Sequence, residues 1–328
     1  MTMRRVLITG ARGFVGRHLA AALAADGIAV AGLDVPPPAA ATRSDPPWIV
    51  HHHTLGALET EAGARRLADL LRAGGHDAVV HLAGQSSAAA SFGDPAGTFR
   101  ANALGTLELL EALRLLAAQG SPVPRLLSVG SGEEYGAAAT PARPCREDDP
   151  VVPVTPYGAS KAAATLLCRQ YHRSYRVPVV ATRSFNHTGT GQDQRFVFPG
   201  LAAQIAAAEA GRRAPVLATG NLQITRDFLD VRDVVAAYRL LLERGEPGRV
   251  YNVCSGSALT IGQGLQILLG FSTAAIAVTP DPARVRPADI PHLVGDPALL
   301  GEATGWRPRF EFSATLRDLL EDARRNLA

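Results

Sequence analysis

The sequence predicts an α/β protein built on a doubly wound parallel sheet, with a smaller C-terminal α/β part. Three observations predict it. A short apolar strand near the N-terminus runs into a glycine-rich turn and then a helical pattern. Short β-branched runs alternate with helical patterns as far as about residue 183, the rhythm a parallel sheet requires. Beyond that point loops lengthen and Gly and Pro become more frequent, which marks a differently built second part.

The elements follow in order. Val6, Leu7 and Ile8 form a buried-type strand, and Gly10, Gly13 and Gly16 form the turn after it. A helix follows with Leu19 and Leu23 on one face, and Gly27 ends it. Residues 28–33 read as a second strand finishing at Asp34, which completes a βαβ unit. Pro36, Pro37, Pro38 and the next dozen residues read as loop. Residues 78–82 form another strand, ending in Ala83 and Gly84. Residues 102–116 form an amphipathic helix, and residues 125–129 form a strand that delivers Ser131 just beyond its end. A long helix over 157–175 and a strand over 177–182 complete a Rossmann-type sheet. In the second part, helices are expected at 198–210, 260–269 and 313–327, a strand edge followed by a helix over 228–244, and a strand at 250–253. The expected division gives residues 1–182 and about 227–255 to a dinucleotide-binding domain. Residues 183–226 and 256–328 form the substrate-binding part.

Composition narrows the function. The chain has 328 residues, 47% of them hydrophobic, and a formal net charge of only +3. Scattered positive charge at this level excludes nucleic acid as an expected partner and leaves room for a local site for an anionic small molecule. Cys145, Cys168 and Cys254 form neither a disulfide framework nor a metal pattern. The start leads directly into an apolar strand, and no apolar run reaches the roughly 18 residues of a membrane span. A cytoplasmic protein without a membrane partner is expected.

The chemistry-bearing residues cluster where the sheet predicts a ligand. The glycines have Gly-x-x-Gly-x-x-Gly spacing. Missing side chains let backbone approach a pyrophosphate, and the helix N-terminus stabilises its charge. Asp34, about 20 residues on, can accept hydrogen bonds from ribose hydroxyls and would repel a 2′-phosphate, which favours NAD(H). Arg12 inside the loop can touch a phosphate, so NADP(H) stays open. Tyr157 and Lys161, four apart on a helix, share one face about 6 Å apart along the axis. An ammonium there is expected to lower the phenol from its ordinary pKa of about 10, so that it exchanges a proton with a substrate oxygen. Ser131 can hold that oxygen. Glu133 is either an acid/base group or a loop carboxylate. Arg226 and Arg286 suit bidentate contact with a diphosphate or ribose. His51, His52 and His53 alternate sides along a strand and chelate poorly together, so no metal is expected.

Six stretches in order make the chain resemble the extended short-chain dehydrogenase/reductase family: Thr9 to Gly16, His81 to Gly84, Asn102 to Thr106, Ser131 to Gly136, Tyr157 to Lys161, and Arg183 to His187. They cover nearly the whole chain. Within the family, Gly132-Glu-Glu-Tyr-Gly136, Phe185-Asn-His-Thr-Gly189, Gly220-Asn-Leu222, the run from Arg226 to Asp233, and Tyr251 to Gly256 look like those of reductases acting on C4 of GDP-4-keto-6-deoxyhexoses. The resemblance implies a GDP-linked sugar substrate and a product such as GDP-D-rhamnose. It implies Ser131, Tyr157, Lys161 and Glu133 as the catalytic set. Gly10, Arg12, Gly13, Phe14, Val15, Asp34, Leu82, Ala83 and Gly84, with Tyr157 and Lys161, would hold the dinucleotide. Ser86, Ser131, Glu133, Tyr157, Asn186, Val197, Arg226 and Arg286 would hold the substrate. A homodimer through the helices beginning near Asn102 and Tyr157 is implied too. Two features depart from the pattern: residues 53–58 lack the carboxylate that relatives place against adenine, and Asp34 stands where NADP-preferring relatives carry Ser-Arg. Glu133 keeps a 4,6-dehydratase as an alternative, a 4-epimerase would use the same Ser-Tyr-Lys set, and a dinucleotide-sensing binding protein is the non-enzyme alternative.

Overall fold

The computed structural model describes residues 3–35, 49–52, 60–281 and 290–327. Seven strands form the main sheet: β1 (Arg5–Thr9), β2 (Ala29–Asp34), β3 (Ile49–His52), β4 (Ala78–His81), β5 (Arg125–Ser131), β6 (Val179–Ser184) and β7 (Val250–Val253). Their order is β3-β2-β1-β4-β5-β6-β7, and every neighbouring pair is parallel. The chain runs outward from β1 in one direction and then returns to the other side of it. That reversal opens a crevice at the carboxyl edge, where ligands of doubly wound sheets bind.

Eight main helices accompany the sheet: α1 (Phe14–Ala25), α2 (Thr60–Gly74), α3 (Gly105–Ala118), α4 (Pro156–Tyr175), α5 (Val197–Glu209), α6 (Val231–Arg244), α7 (Ile261–Gly270) and α8 (Phe312–Arg325). On one face of the sheet, Leu19 and Leu23 of α1 and Val234, Tyr238 and Leu241 of α6 pack with Trp306. On the other face, Leu67, Leu109, Leu113 and Cys168 bring α2, α3 and α4 together. A separate core of Phe198, Leu265, Leu316 and Leu319 joins α5, α7 and α8 in the C-terminal part. Burying such side chains stabilises each core by about 1.5–3 kcal/mol apiece.

The boundaries differ from expectation in instructive places. Strand β5 continues to Ser131, so that residue is the last of the strand rather than one beyond it. Strand β6 starts at Val179 instead of 177, because Pro178 lacks the N–H a ladder needs. The helix expected from Asn102 opens instead with a π-helical turn, Arg100–Leu104, before α3. Helix α2 and a short helix at Ala298–Thr304 went unforeseen. The strand edge expected at the start of 228–244 is Phe228–Asp230, which pairs with an unforeseen strand at Asn186–Thr188; the sheets pairing Val216–Thr219 with Ala277–Pro280, and Thr225–Arg226 with Leu259–Thr260 and His292–Leu293, were unforeseen too. Strands of two or three residues are too short to show a period of two.

Candidate active site

The glycine turn is held against the loop after β4. Gly10 has φ 69°, and a Cβ there would stand 2.7 Å from the Ala83 nitrogen. A Cβ at Gly16 would stand 2.7 Å from the Ala11 oxygen. Helix α1 begins at Gly13 without a side-chain cap, so a bound pyrophosphate can take that role. Phe14 and Val15 open the helix, both half-buried. Leu82 and Ala83 are anchored to Thr9, through Leu82 N–H on the Thr9 carbonyl at 3.1 Å and Ala83 N–H on the Thr9 hydroxyl at 3.2 Å. This cradle, which side chains would fill, fits a dinucleotide.

Asp34 is a partnered carboxylate. It accepts the backbone N–H of Arg12 at 2.7 Å, and the Arg12 guanidinium lies 3.7 Å away. Arg12 also donates to the Val35 carbonyl at 2.5 Å. The two residues that point in opposite directions on NAD against NADP therefore touch each other. The stretch over 53–58 lies outside the described residues, as does Arg286.

His81 is structural. Its ring nitrogens meet the hydroxyls of Thr9 at 2.8 Å and Thr106 at 3.1 Å. Burial, aided by the charge of Lys161, lowers its pKa to about 3, so the ring is neutral. Asn102, from the π-helical turn, accepts the Gln85 N–H at 2.9 Å and donates to Ser160 of α4 at 2.9 Å. A Cβ at Gly84 would collide with that Asn102 amide. Asn102 thus ties the dinucleotide loop to the helix that carries Tyr157, a role its place in a matching motif did not assign.

Thr155 caps α4 by accepting the Gly158 N–H at 2.9 Å, and Pro156 pre-sets the first turn. The same Thr155 hydroxyl donates to the Glu133 carboxylate at 2.9 Å. Tyr157 shares a side-chain hydrogen bond with Ser131. Burial pushes the phenol above its ordinary pKa; the Ser131 bond opposes this, and the charges of Glu133 and Glu134 add to it. The expected lowering by Lys161 is therefore corrected: burial dominates at the phenol, and Lys161 is not among the groups that chiefly shift it. Lys161 instead donates to the Val129 carbonyl at 2.9 Å. Burial lowers its pKa to about 8, with Glu134 pulling the other way. Lys161 is also the only lysine in the chain; the other members of its 33 Lys+Arg are all arginine. Arginine cannot lose its proton in a protein, so Lys161 is the one side-chain amine whose charge can be adjusted.

Beside this set lies a cavity of about 780 Å³ whose lining includes Glu133, Asn186, Val197 and Arg226. Gln204, Arg213 and Asn221 also line it and were not foreseen. Arg226 is buried, and one guanidinium nitrogen donates to the Ile290 carbonyl at 2.6 Å and the Thr225 carbonyl at 2.9 Å. Ser86, by contrast, is exposed and is not part of the lining. Among the described residues no group of three His, Cys, Asp or Glu could hold a metal ion, and no helix is long and apolar enough to cross a membrane.

The family model for GDP-mannose 4,6 dehydratase matches residues 7–319. The chain belongs to this family of extended short-chain dehydrogenases/reductases. Within the GDP-mannose dehydratase family it is 39% identical to a GDP-6-deoxy-D-mannose reductase of Pseudomonas aeruginosa over 97% of both chains. It is 32% identical to a dTDP-glucose 4,6-dehydratase of Streptomyces niveus, over 77% of this chain and 72% of that one. The structure of RMD from Pseudomonas aeruginosa complexed with NADPH superposes with a TM-score of 0.82 at 38% identity, covering 99% of this chain and all of that one. A UDP-glucose 4-epimerase of Thermus thermophilus in complex with NAD gives a TM-score of 0.82 at 30% identity, over 98% and 99%. A member of the GDP-mannose dehydratase family is an NAD(P)-dependent enzyme that modifies nucleotide sugars.

Proposed function

We propose that the chain is an NAD(P)H-dependent 4-ketoreductase that converts GDP-4-keto-6-deoxy-D-mannose to GDP-D-rhamnose. The observation that carries this reading is the likeness to a GDP-6-deoxy-D-mannose reductase along 97% of both chains. When bound, the dinucleotide supplies the hydride that goes to C4. Gly10, Gly13 and the N-terminus of α1 hold its pyrophosphate, with Phe14 and Val15 beside them. Leu82, Ala83 and Gly84 line its path, and Lys161 holds the nicotinamide ribose. Asn186, Val197, Arg226 and Arg286 bind the nucleotide-diphosphate end, which orients C4 within reach.

Tyr157 donates the proton to O4. A phenol kept protonated by burial suits that direction, since a donor must arrive carrying its proton. The Ser131 hydroxyl bonds the carbonyl oxygen and stabilises the charge that develops there. Asp34 favours NADH, and the guanidinium of Arg12 beside it leaves NADPH usable. The sheet unit carries the dinucleotide and the C-terminal unit carries the sugar. Leu166 and Tyr175, large exposed side chains on α4, support a homodimer through α3 and α4.

The test supplies GDP-4-keto-6-deoxymannose with NADH or NADPH and identifies the product by NMR; no oxidation of either dinucleotide sinks the reading. Tyr157→Phe is expected to lower kcat by about 100-fold or more. Unchanged turnover would remove Tyr157 as the donor. Glu133 supports a second reading, a 4,6-dehydratase, because its carboxylate lines the cavity beside Ser131 and Tyr157. Formation of a 4-keto-6-deoxy product from GDP-mannose would favour that reading.

A further inference from the structure

We propose that Glu134 is a positioning residue: it locks Ser131 to the Tyr157–Lys161 face of α4 and supplies the fixed negative charge that faces Lys161 across the site. This rests on the reading of Ser131, Tyr157 and Lys161 as the catalytic set.

The geometry is complete on all sides. Glu134 is fully buried, and three donors from three elements converge on its carboxylate. One oxygen accepts the Ser131 N–H at 2.9 Å and the Thr165 hydroxyl at 3.0 Å, and the other accepts the Arg183 guanidinium of β6 at 3.0 Å. The Ser131 bond is half of a reciprocal capping box, in which the Ser131 hydroxyl accepts in return the N–H of Glu133 at 3.2 Å. Thr165 stands one helical turn beyond Lys161, on the same face. A Cβ at Gly130 would collide with the Glu134 carboxylate, so a glycine one residue before Ser131 is what lets it approach. Arg183 is fixed in turn, stacked 4.6 Å over the Tyr135 ring and donating to the Glu147 carbonyl at 3.0 Å. The Tyr135 hydroxyl donates to Asn252 of β7 at 2.7 Å. Two strand ends and the helix that carries Tyr157 therefore meet at one carboxylate, and β7 is joined to them through Tyr135.

Its charge acts in the same place. Arg183 faces it from β6, and Tyr157, Lys161 and Cys168 from α4; Glu133 and Tyr238 of α6 act on Tyr157, and the neutral His81 lies beyond Lys161. Burial pushes the Glu134 carboxyl up, and Arg183 with the two other donors pulls it back. Its negative charge raises Lys161 against burial and keeps the Tyr157 phenol protonated. A side chain that only filled space would do neither.

The sole lysine makes this measurable apart from turnover. Reductive methylation with ¹³C-formaldehyde labels Lys161 as the single side-chain amine of the chain, and its NMR shift is titrated upward from neutral pH. The N-terminal amine titrates in a similar range, and it is told apart by its chemical shift and by a midpoint that stays the same in the Glu134 variants. In Glu134→Gln the Lys161 midpoint is expected to fall by about one pH unit, and the alkaline limb of kcat to move down with it. Its kcat is expected to drop about tenfold or more, with KM for the sugar nearly unchanged. Glu134→Asp keeps the charge and is expected to return the Lys161 midpoint to its parental value, while kcat stays about fivefold low because the shorter arm misplaces Ser131. A parental midpoint and parental pH limb in Glu134→Gln overturn the proposal. Should that variant not fold, a parental kcat in Glu134→Asp overturns it. If the parental protein reduces no 4-keto sugar, the proposed function falls, and the Lys161 titration still decides on Glu134.

Discussion

Two arginine–carboxylate pairs join elements in different regions of this molecule, and they differ in almost everything except chemistry. Glu134 and Arg183 meet beneath the catalytic edge of the sheet, with side chains 0% and 3% exposed. Glu209 of α5 and Arg324 of α8 meet at the rim of the C-terminal helices, in a bidentate fork of 2.7 and 2.8 Å, with side chains 9% and 28% exposed. Burial pushes the Glu134 carboxyl up, whereas the fork with Arg324 pulls Glu209 down to about 2. The rim pair adds stability because its partners gain a bond without losing much water. The inner pair gives up hydration, and the gain is geometric: it fixes where Ser131 stands.

Breaking the inner pair is the largest expected effect. Arg183→Met leaves the Glu134 charge buried without its counter-ion, and is expected to cost about 3–5 kcal/mol of folding stability. The double change Arg183→Met with Glu134→Leu is expected to recover most of that loss. Urea denaturation of both checks the contrast, and a single change costing under about 1 kcal/mol would erase it. Glu209→Gln is next, at about 1 kcal/mol, since the pair is partly solvated. The pH dependence sharpens this. The folded pKa of Glu209 lies below its unfolded value, so the stabilisation is present above about 4.5 and is lost as pH falls toward about 2. Acid unfolding of Glu209→Gln should run parallel to that of the parent below that window, diverge from it as pH rises through the window, and keep a constant offset above it. The smallest effect belongs to Arg65→Gln, which releases Glu61 on the exposed face of α2 and should change the melting midpoint within error, about 0.5 kcal/mol or less.

The sheet was legible because β-branched runs and glycine turns speak through local pattern. Gly10, Ser131 and Tyr157 were picked out from motif and position, and the structure places Gly10 just after β1, Ser131 at the end of β5 and Tyr157 in a hydrogen bond with Ser131. What escaped depends on distance along the chain. Glu134 and Arg183 are 49 residues apart, and nothing in either segment announces that they touch. The direction of the Tyr157 shift was misread for a related reason: helical spacing gives proximity to Lys161, while burial depends on every element packed around the phenol. Asn102 was seen as part of a motif, but its bond to Ser160 crosses between two helices. The short strands around Arg226 carry too few residues to show alternation.

The solitary Lys161 also gives the chain a single lysyl peptide bond, placed within α4. A protease restricted to lysyl bonds has one place to cut, separating residues 1–161 from 162–328. An intact helix does not fit a protease cleft, so the cut requires α4 to unwind at the catalytic centre. The rate at which two fragments replace the parent band would then count openings of that one helix, and a bound dinucleotide or sugar nucleotide would slow it in proportion to how firmly it holds the helix closed.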